Sequence, residues 1–125
     1  MPLVTIISVN RNDAKGLART LASVGRQTLR DRESVVIDGA STDGSLDVIR
    51  ESAAAGIVTD WISEPDAGIY DAMNKGICRA RGTYLVFMNG GDCFSADDAL
   101  ERFFAAGEPK EDLLYSDAVV ENEDG

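Results

Sequence analysis

Five short apolar runs recur along this chain, each too brief to be a helix and each separated from the next by a stretch with helical spacing. They are Leu3-Val-Thr-Ile-Ile-Ser8, Ser34-Val-Val-Ile37, Asp60-Trp-Ile-Ser63, Thr83-Tyr-Leu-Val-Phe-Met88 and Asp112-Leu-Leu-Tyr115. The clearest of them are rich in β-branched and aromatic residues, with too few polar positions for a wet face, so strands buried on both sides are expected. Asn10-Arg-Asn-Asp13 supplies N-cap chemistry for a helix whose inner face is Leu17, Leu21 and Val24. A second helix carries Leu46, Ile49 and Ala53, and a third a continuous stripe of Ile69, Ala72, Met73, Gly76, Ile77 and Ala80. Ser95 is read as the cap of a fourth, with Leu100, Phe103 and Phe104. Strands alternating with helices predict an α/β fold: a mainly parallel sheet with helices on both faces. A length of 125 residues sets one domain, residues 1–125, and its pattern stops at Glu121-Asn-Glu-Asp-Gly125 without a closing element, so the fold is expected to be truncated.

In an open α/β sheet, ligands bind beyond the carboxyl ends of the strands. Small polar and acidic groups follow three of the predicted strands: Ser8, Asn10 and Asn12, then Asp38, then Asp92 in Asn89-Gly-Gly-Asp92. The glycine-rich turn of a dinucleotide fold is missing after the first strand, and no phosphate-cradling Walker loop occurs. An Asp at a strand end can accept hydrogen bonds from a base imide or a ribose, and a later Asp can hold a divalent cation against a diphosphate. That division of labour suits a nucleotide-diphosphate sugar. The chain has no His, which leaves carboxylates for both general-base and metal-ligand work.

A net charge of −10 argues against nucleic acid as a partner, since phosphate binding needs clustered Lys and Arg. The longest apolar runs are too short to span a bilayer, and the N-terminus has neither a basic n-region nor a cleavage site, so it is expected to enter a strand directly. Cys78 and Cys93 form no disulfide framework and no metal spacing, which fits a reducing cytosol.

In order, the opening strand followed by Asn10, Leu21-Ala-Ser-Val-Gly-Arg-Gln27, Val35-Val-Ile-Asp-Gly-Ala-Ser-Thr-Asp-Gly44, Glu64-Pro-Asp-Ala-Gly-Ile-Tyr-Asp-Ala-Met-Asn-Lys-Gly76 and Asn89-Gly-Gly-Asp92 resemble the family 2 glycosyltransferases of GT-A fold. The likeness is to the branch that builds exopolysaccharide or cell-envelope glycans, and it covers nearly the whole chain as the N-terminal donor-binding part. The 64–76 block is the most specific element. The resemblance implies that Ser8 and Asn10 border the nucleotide base and that Asp38 contacts base or ribose. It further implies that Asp66, Gly68 and Tyr70 line the pocket, that Asn74 and Lys75 lie near ribose or diphosphate, and that Asp92 binds Mg²⁺ or Mn²⁺. The implied reaction is inverting transfer of a sugar, UDP-sugar favoured, to a glycan or lipid-linked acceptor. The implied location is the cytoplasm, at the inner face of the membrane. The general base is expected beyond residue 125, so this stretch is expected to bind donor and to be unable to transfer. A homodimer covering exposed edges is a further expectation.

Two departures stand out. Only Asp92 is acidic where many relatives carry an acidic triplet, with Asn89 and Gly91 in the other places, and Met73 stands where many have Arg, leaving Lys75 to supply positive charge. Asp43 is read as a helix cap, Asp97 and Asp98 as first-turn residues, Met73 as core, and Gly68, Gly76 and Gly82 as backbone-geometry or packing positions. Asp117 is not favoured as the base. A catalytically silent nucleotide-sugar-binding module is the alternative reading. A nucleotidyltransferase is disfavoured for want of a Gly-rich loop.

Overall fold

The computed structural model describes residues 2–105 together with the strand residues 113–114 and 120–121. Its centre is a sheet of β1 (Val4–Asn10), β2 (Arg32–Asp38), β3 (Asp60–Ser63), β4 (Tyr84–Phe87) and β6 (Leu113–Leu114), in the order β3-β2-β1-β4-β6. Every neighbouring pair is parallel. A short antiparallel pair, β5 (Cys93–Phe94) and β7 (Val120–Glu121), stands apart and was not anticipated from the sequence. Two-residue strands carry too little periodicity to be read.

Two strands end later than the apolar runs that announce them, because polar residues continue the ladder: β1 runs on to Asn10 and β2 to Asp38. Alternate residues face opposite ways. On one face, Val4, Ile6, Tyr84 and Val86 pack with Val24 of α1 (Ala14–Gly25) and Ala99 and Leu100 of α4 (Ala99–Ala105). On the same face Val36 meets Leu17 and Leu21 of α1 and Ile49 of α2 (Ser45–Ala54). The other face, with Val35 and Ile37, is covered by Ala72 of α3 (Ile69–Arg79). Helices therefore cover both faces, as expected. Leu17, Leu21 and Val24 are fully buried, each contributing about 1.5–3 kcal/mol. Asp13 caps α1, its Oδ1 accepting the Gly16 N–H at 3.1 Å.

Four expectations need correction. The stripe on α3 is not continuous: Ala72 and Gly76 are buried, but Ile69 is 49% and Ile77 43% exposed, and Met73 is half-buried instead of core. Gly76 is the reason that α3 sits so close, because a Cβ there would lie 2.4 Å from Ile7 Cγ2. Closeness at one line lifts the flanking residues off the sheet. Ser95 does not cap α4, which begins at Ala99. Asp43 stands one residue before the α2 N-cap Gly44, yet it joins two helix starts, accepting the N–H of Ser45 at 3.0 Å and of Ala14 at 3.0 Å. Asp97 and Asp98 accordingly precede α4 instead of lying in its first turn, and they pair with Arg26 and Arg102. Asp117 lies outside the described residues.

At the N-terminal edge of the sheet a carboxylate is buried. Glu33 is 4% exposed and accepts hydrogen bonds from Thr5 Oγ1 (2.6 Å), Arg81 N (2.5 Å) and Arg81 Nε (3.3 Å). Burial pushes its pKa up, but those bonds and the Arg81 charge outweigh it and hold the pKa below the ordinary value.

Candidate functional site

The parallel register aligns the last residues of three strands, Asn10, Asp38 and Ser63, in one row. They share a face, and their side chains bond along the row. Asp38 is fully buried. Its Oδ1 accepts Asn10 Nδ2 (2.9 Å) and Ser41 Oγ (2.7 Å), and its Oδ2 accepts Ser41 N (2.8 Å) and Ser63 Oγ (2.8 Å). A carboxylate has about four lone-pair sites, and all are used. Burial raises the pKa, but the bonds from Ser41, Asn10 and Ser63 together outweigh it, so the carboxyl lies below its ordinary range. Asp38, the residue expected to contact a base or ribose, is thus bonded to its own neighbours and holds Asn10.

What it holds is an oriented acceptor. Only the amide nitrogen of Asn10 can donate to a carboxylate, so Oδ1 must turn the other way. It lies 3.0 Å from where a Cβ on Gly90 would stand, and it has no hydrogen-bond partner although Asn10 is 3% exposed. Leaving such an atom unsatisfied costs about 1–3 kcal/mol.

Asn10 lines a cleft of about 320 Å³. Val9, Asn10, Arg11 and Asp13 line it from the end of β1, Asn89 and Gly90 from the turn after β4, and Asp66, Gly68 and Ile69 from the start of α3. β1 and β4 are adjacent in the sheet, and from them the chain order runs outward in opposite directions, which is the switch point where open α/β sheets bind ligands. The loops after β1 and β2 are zipped together by Asn12 N to Ser41 Oγ (2.9 Å) and Thr42 N to Asn12 Oδ1 (2.8 Å). Asn12 (φ 52°) and Ala40 (φ 55°) are left-handed there, a strained backbone of the sort found around functional sites.

Asn89-Gly-Gly-Asp92 is a closed turn, with Asp92 N to Asn89 O at 2.9 Å and Asn89 N to Asp92 Oδ2 at 3.1 Å. Helix α1 and the turn after it grip the segment from behind through the buried polar residues Thr20, Ser23 and Gln27. Thr20 Oγ1 accepts Gly91 N (3.0 Å), Ser23 Oγ accepts Phe94 N (3.2 Å), and Gln27 bonds Ala96 O (2.7 Å) and Leu100 N (3.1 Å). Asp92 is half-buried, and desolvation, only partly offset by the Asn89 N–H, raises its pKa. Asn89 Oδ1, in the same turn, is buried without a partner. One carboxylate of uncompensated charge and one spare amide oxygen are hard donors that suit Mg²⁺ or Mn²⁺, with remaining ligands left to a phosphate or water. Among the described residues no group of three or more acidic, His or Cys side chains gathers.

The cleft thus brings together Asn10, Asp66 and Gly68 from the sequence expectation and leaves others outside its lining. Ser8, expected to border a base, is fully buried in the sheet with its Oγ unpartnered. Tyr70 is 79% exposed and Asn74 is exposed. Lys75 buckles the 64–71 loop instead of standing free: its Nζ reaches Pro65 O (3.1 Å), Glu64 Oε1 (3.2 Å) and Asp71 Oδ2 (3.6 Å). Desolvation would lower its pKa, but the bond and charge of Glu64 and Asp71 raise it on balance. Gly68, at φ 119°, is in a conformation that other residues rarely adopt. Arg11 and Asp13 were missed as cleft residues: Arg11 carried no motif, and Asp13 was explained by its cap.

The family profile described as Glycosyl transferase family 2 matches residues 4–124. An uncharacterized glycosyltransferase of Mycobacterium tuberculosis is 43% identical over 102 residues, covering 81% of this chain and 38% of that protein. A PGL/p-HBAD biosynthesis glycosyltransferase of Mycobacterium bovis is 38% identical over 123 residues, covering 95% and 48%. The chain therefore spans less than half the length of these relatives. Among solved structures, the mannosyltransferase of Pyrobaculum calidifontis in complex with GDP-Man and Mn²⁺ superposes with a TM-score of 0.72 at 30% identity, over 79% of this chain and 30% of that one. Staphylococcus aureus TarS 1–349 in complex with UDP-GlcNAc gives 0.74 at 21% identity, over 84% and 30%, and shows the shared fold. The fold is of the GT-A type, as the resemblance implied.

Proposed function

The chain belongs to glycosyl transferase family 2, and from that premise we propose that it forms the donor-binding part of an enzyme that moves a sugar from a nucleotide-diphosphate donor to a glycan or lipid-linked acceptor. The observation that carries the reading is the unpartnered Asn10 Oδ1, fixed by Asp38 and facing the switch-point cleft. It asks for a ligand with a hydrogen-bond donor, which the imide of a uracil or the N–H groups of a guanine supply. A UDP-sugar is the favoured donor.

Mg²⁺ or Mn²⁺ belongs to this reading. Asp92 and Asn89 would hold it, and when bound it supplies charge compensation for a leaving diphosphate. The chain's own contribution is binding and orientation: Asn10 fixes the base end, Asp38 fixes Asn10, and α1 fixes the 89–92 turn. Inversion at the anomeric carbon and a carboxylate base completing the site are part of the same proposal. So is a cytoplasmic setting at the inner membrane face, with the unpaired Cys78 and Cys93 in support.

Calorimetric titration with UDP, GDP and their sugars, with and without Mn²⁺, tests it. Expected is binding of one nucleotide series, with an Mn²⁺-dependent part that Asp92→Ala removes. A folded protein that binds neither series overturns the donor reading, and binding without transfer by a chain extended to the length of its relatives favours the silent module.

A further inference from the structure

The cleft holds a second recognition element beside Asn10. The N-terminus of α3 opens into it at Gly68 and Ile69 with no side-chain cap, and the helix is 11 residues long. Its first N–H groups are orphan donors at the positive end of the helix dipole. Arg11 lines the same cleft from β1 and makes no ion pair or hydrogen bond among the described residues. Lys75, the cation expected here, is engaged by Glu64 and Asp71. The buried Asn10 Oδ1 is independent of both features and is left without any protein partner.

The anions already nearby have partners. Asp13 Oδ1 takes Gly16 N, Asp66 Oδ1 takes Gly68 N, and Asp71 takes Ala67 N and the Lys75 ammonium. None of them bonds Arg11. A ligand that fills the cleft therefore meets a hydrogen-bond acceptor at Asn10 and a cation with helix N–H groups at Arg11 and Ile69.

We propose that Arg11 and the uncapped N-terminus of α3, through the backbone N–H groups of Ile69 and Tyr70, form the subsite for the donor's diphosphate. Arg11 thereby takes the place that the sequence left to Lys75. This rests on the donor-binding reading above. It adds that part of the diphosphate charge is met by protein atoms as well as by a cation at Asp92, so diphosphate affinity persists in part without metal.

Two substitutions separate the parts. Arg11→Gln removes the cation and leaves a side chain of similar reach. Ile69→Pro removes one N–H at the first helical position, where proline is tolerated, and the extended Gly68 (ψ −177°) accepts a following proline. With nucleoside, nucleoside monophosphate and nucleoside diphosphate as probes, each titrated with and without Mn²⁺, both variants should keep the nucleoside affinity. Diphosphate affinity should fall about tenfold in Arg11→Gln and a few-fold in Ile69→Pro, since charge-assisted bonds are the stronger. Thermal melts check that both variants are folded. Equal losses for nucleoside and diphosphate, or unchanged diphosphate affinity in Arg11→Gln, overturn the assignment alone. An unaltered protein that binds no nucleotide overturns the donor reading, and the subsite with it.

Discussion

Strand β2 carries a buried carboxylate at each end, and the two are used differently. Glu33, at the N-terminal edge, closes on Thr5 and Arg81: a serviceable clamp that joins β1, β2 and the approach to β4. Asp38, at the C-terminal edge, is more deeply buried and satisfied by four donors, but its chain of bonds ends on an atom with nothing to bind. A buried carboxylate with a depressed pKa is thus no sign of a site. The remainder is the sign: the Glu33 network closes on itself, and the Asp38 network hands one oriented acceptor to a cleft.

The largest test of this contrast is Asp38→Ala. Stripping four donors of a fully buried acceptor should cost about 3 kcal/mol or more in urea unfolding, against about 1–2 kcal/mol for Glu33→Ala, whose Arg81 partner is exposed and regains water. Equal costs would erase the distinction. Both carboxyls have depressed folded pKa values, so their stabilisation is present above the unfolded-state pKa and is lost as pH falls through the folded one.

Next in size is the binding contrast. Asn10→Ala should lower nucleotide affinity about tenfold, whereas Thr5→Ala should cost stability and leave affinity alone. Loss of affinity in Thr5→Ala would show that the two edges are coupled. Asp92→Asn should leave the melting temperature unchanged or slightly raised, because ionised Asp92 is poorly compensated, while abolishing the Mn²⁺-dependent part of nucleotide binding. A clear fall in melting temperature would make Asp92 a structural residue. The smallest effect is in pH. A raised carboxyl pKa favours the protonated fold, so the cost of ionisation appears as pH rises through it. Conversely, Mn²⁺-dependent stabilisation should begin to fade, on acidification, at a higher pH than an ordinary Asp allows. Fading only in the ordinary Asp range would discount the desolvation of Asp92.

Much of the sheet was legible because its strands are buried on both faces and its helices repeat Leu17, Leu21, Val24 or Ile49 at helical spacing. The α3 stripe misled, since apolar spacing does not reveal how closely a helix docks, and Gly76 sets that distance. At the site, position could be read and connectivity could not. Asn10, Asp38 and Asp92 were found at strand ends, yet nothing in their spacing says that Ser41 and Ser63 saturate Asp38, or that Lys75 is occupied by Glu64 while Arg11 is not. The polar ridge of Thr20, Ser23 and Gln27 was likewise invisible, because the segment it grips lies about 70 residues away in sequence.

The row Asn10–Asp38–Ser63 also dates the site within folding. It exists only when β1, β2 and β3 are in register, and a slip of one residue would turn a member to the opposite face. The cleft needs β4 beside β1 as well, a pairing of Val4 with Tyr84. Such distant pairings are slow to form. The acceptor on Asn10 is therefore among the last features to appear, and a nucleotide added during refolding should trap the finished protein without hastening its formation.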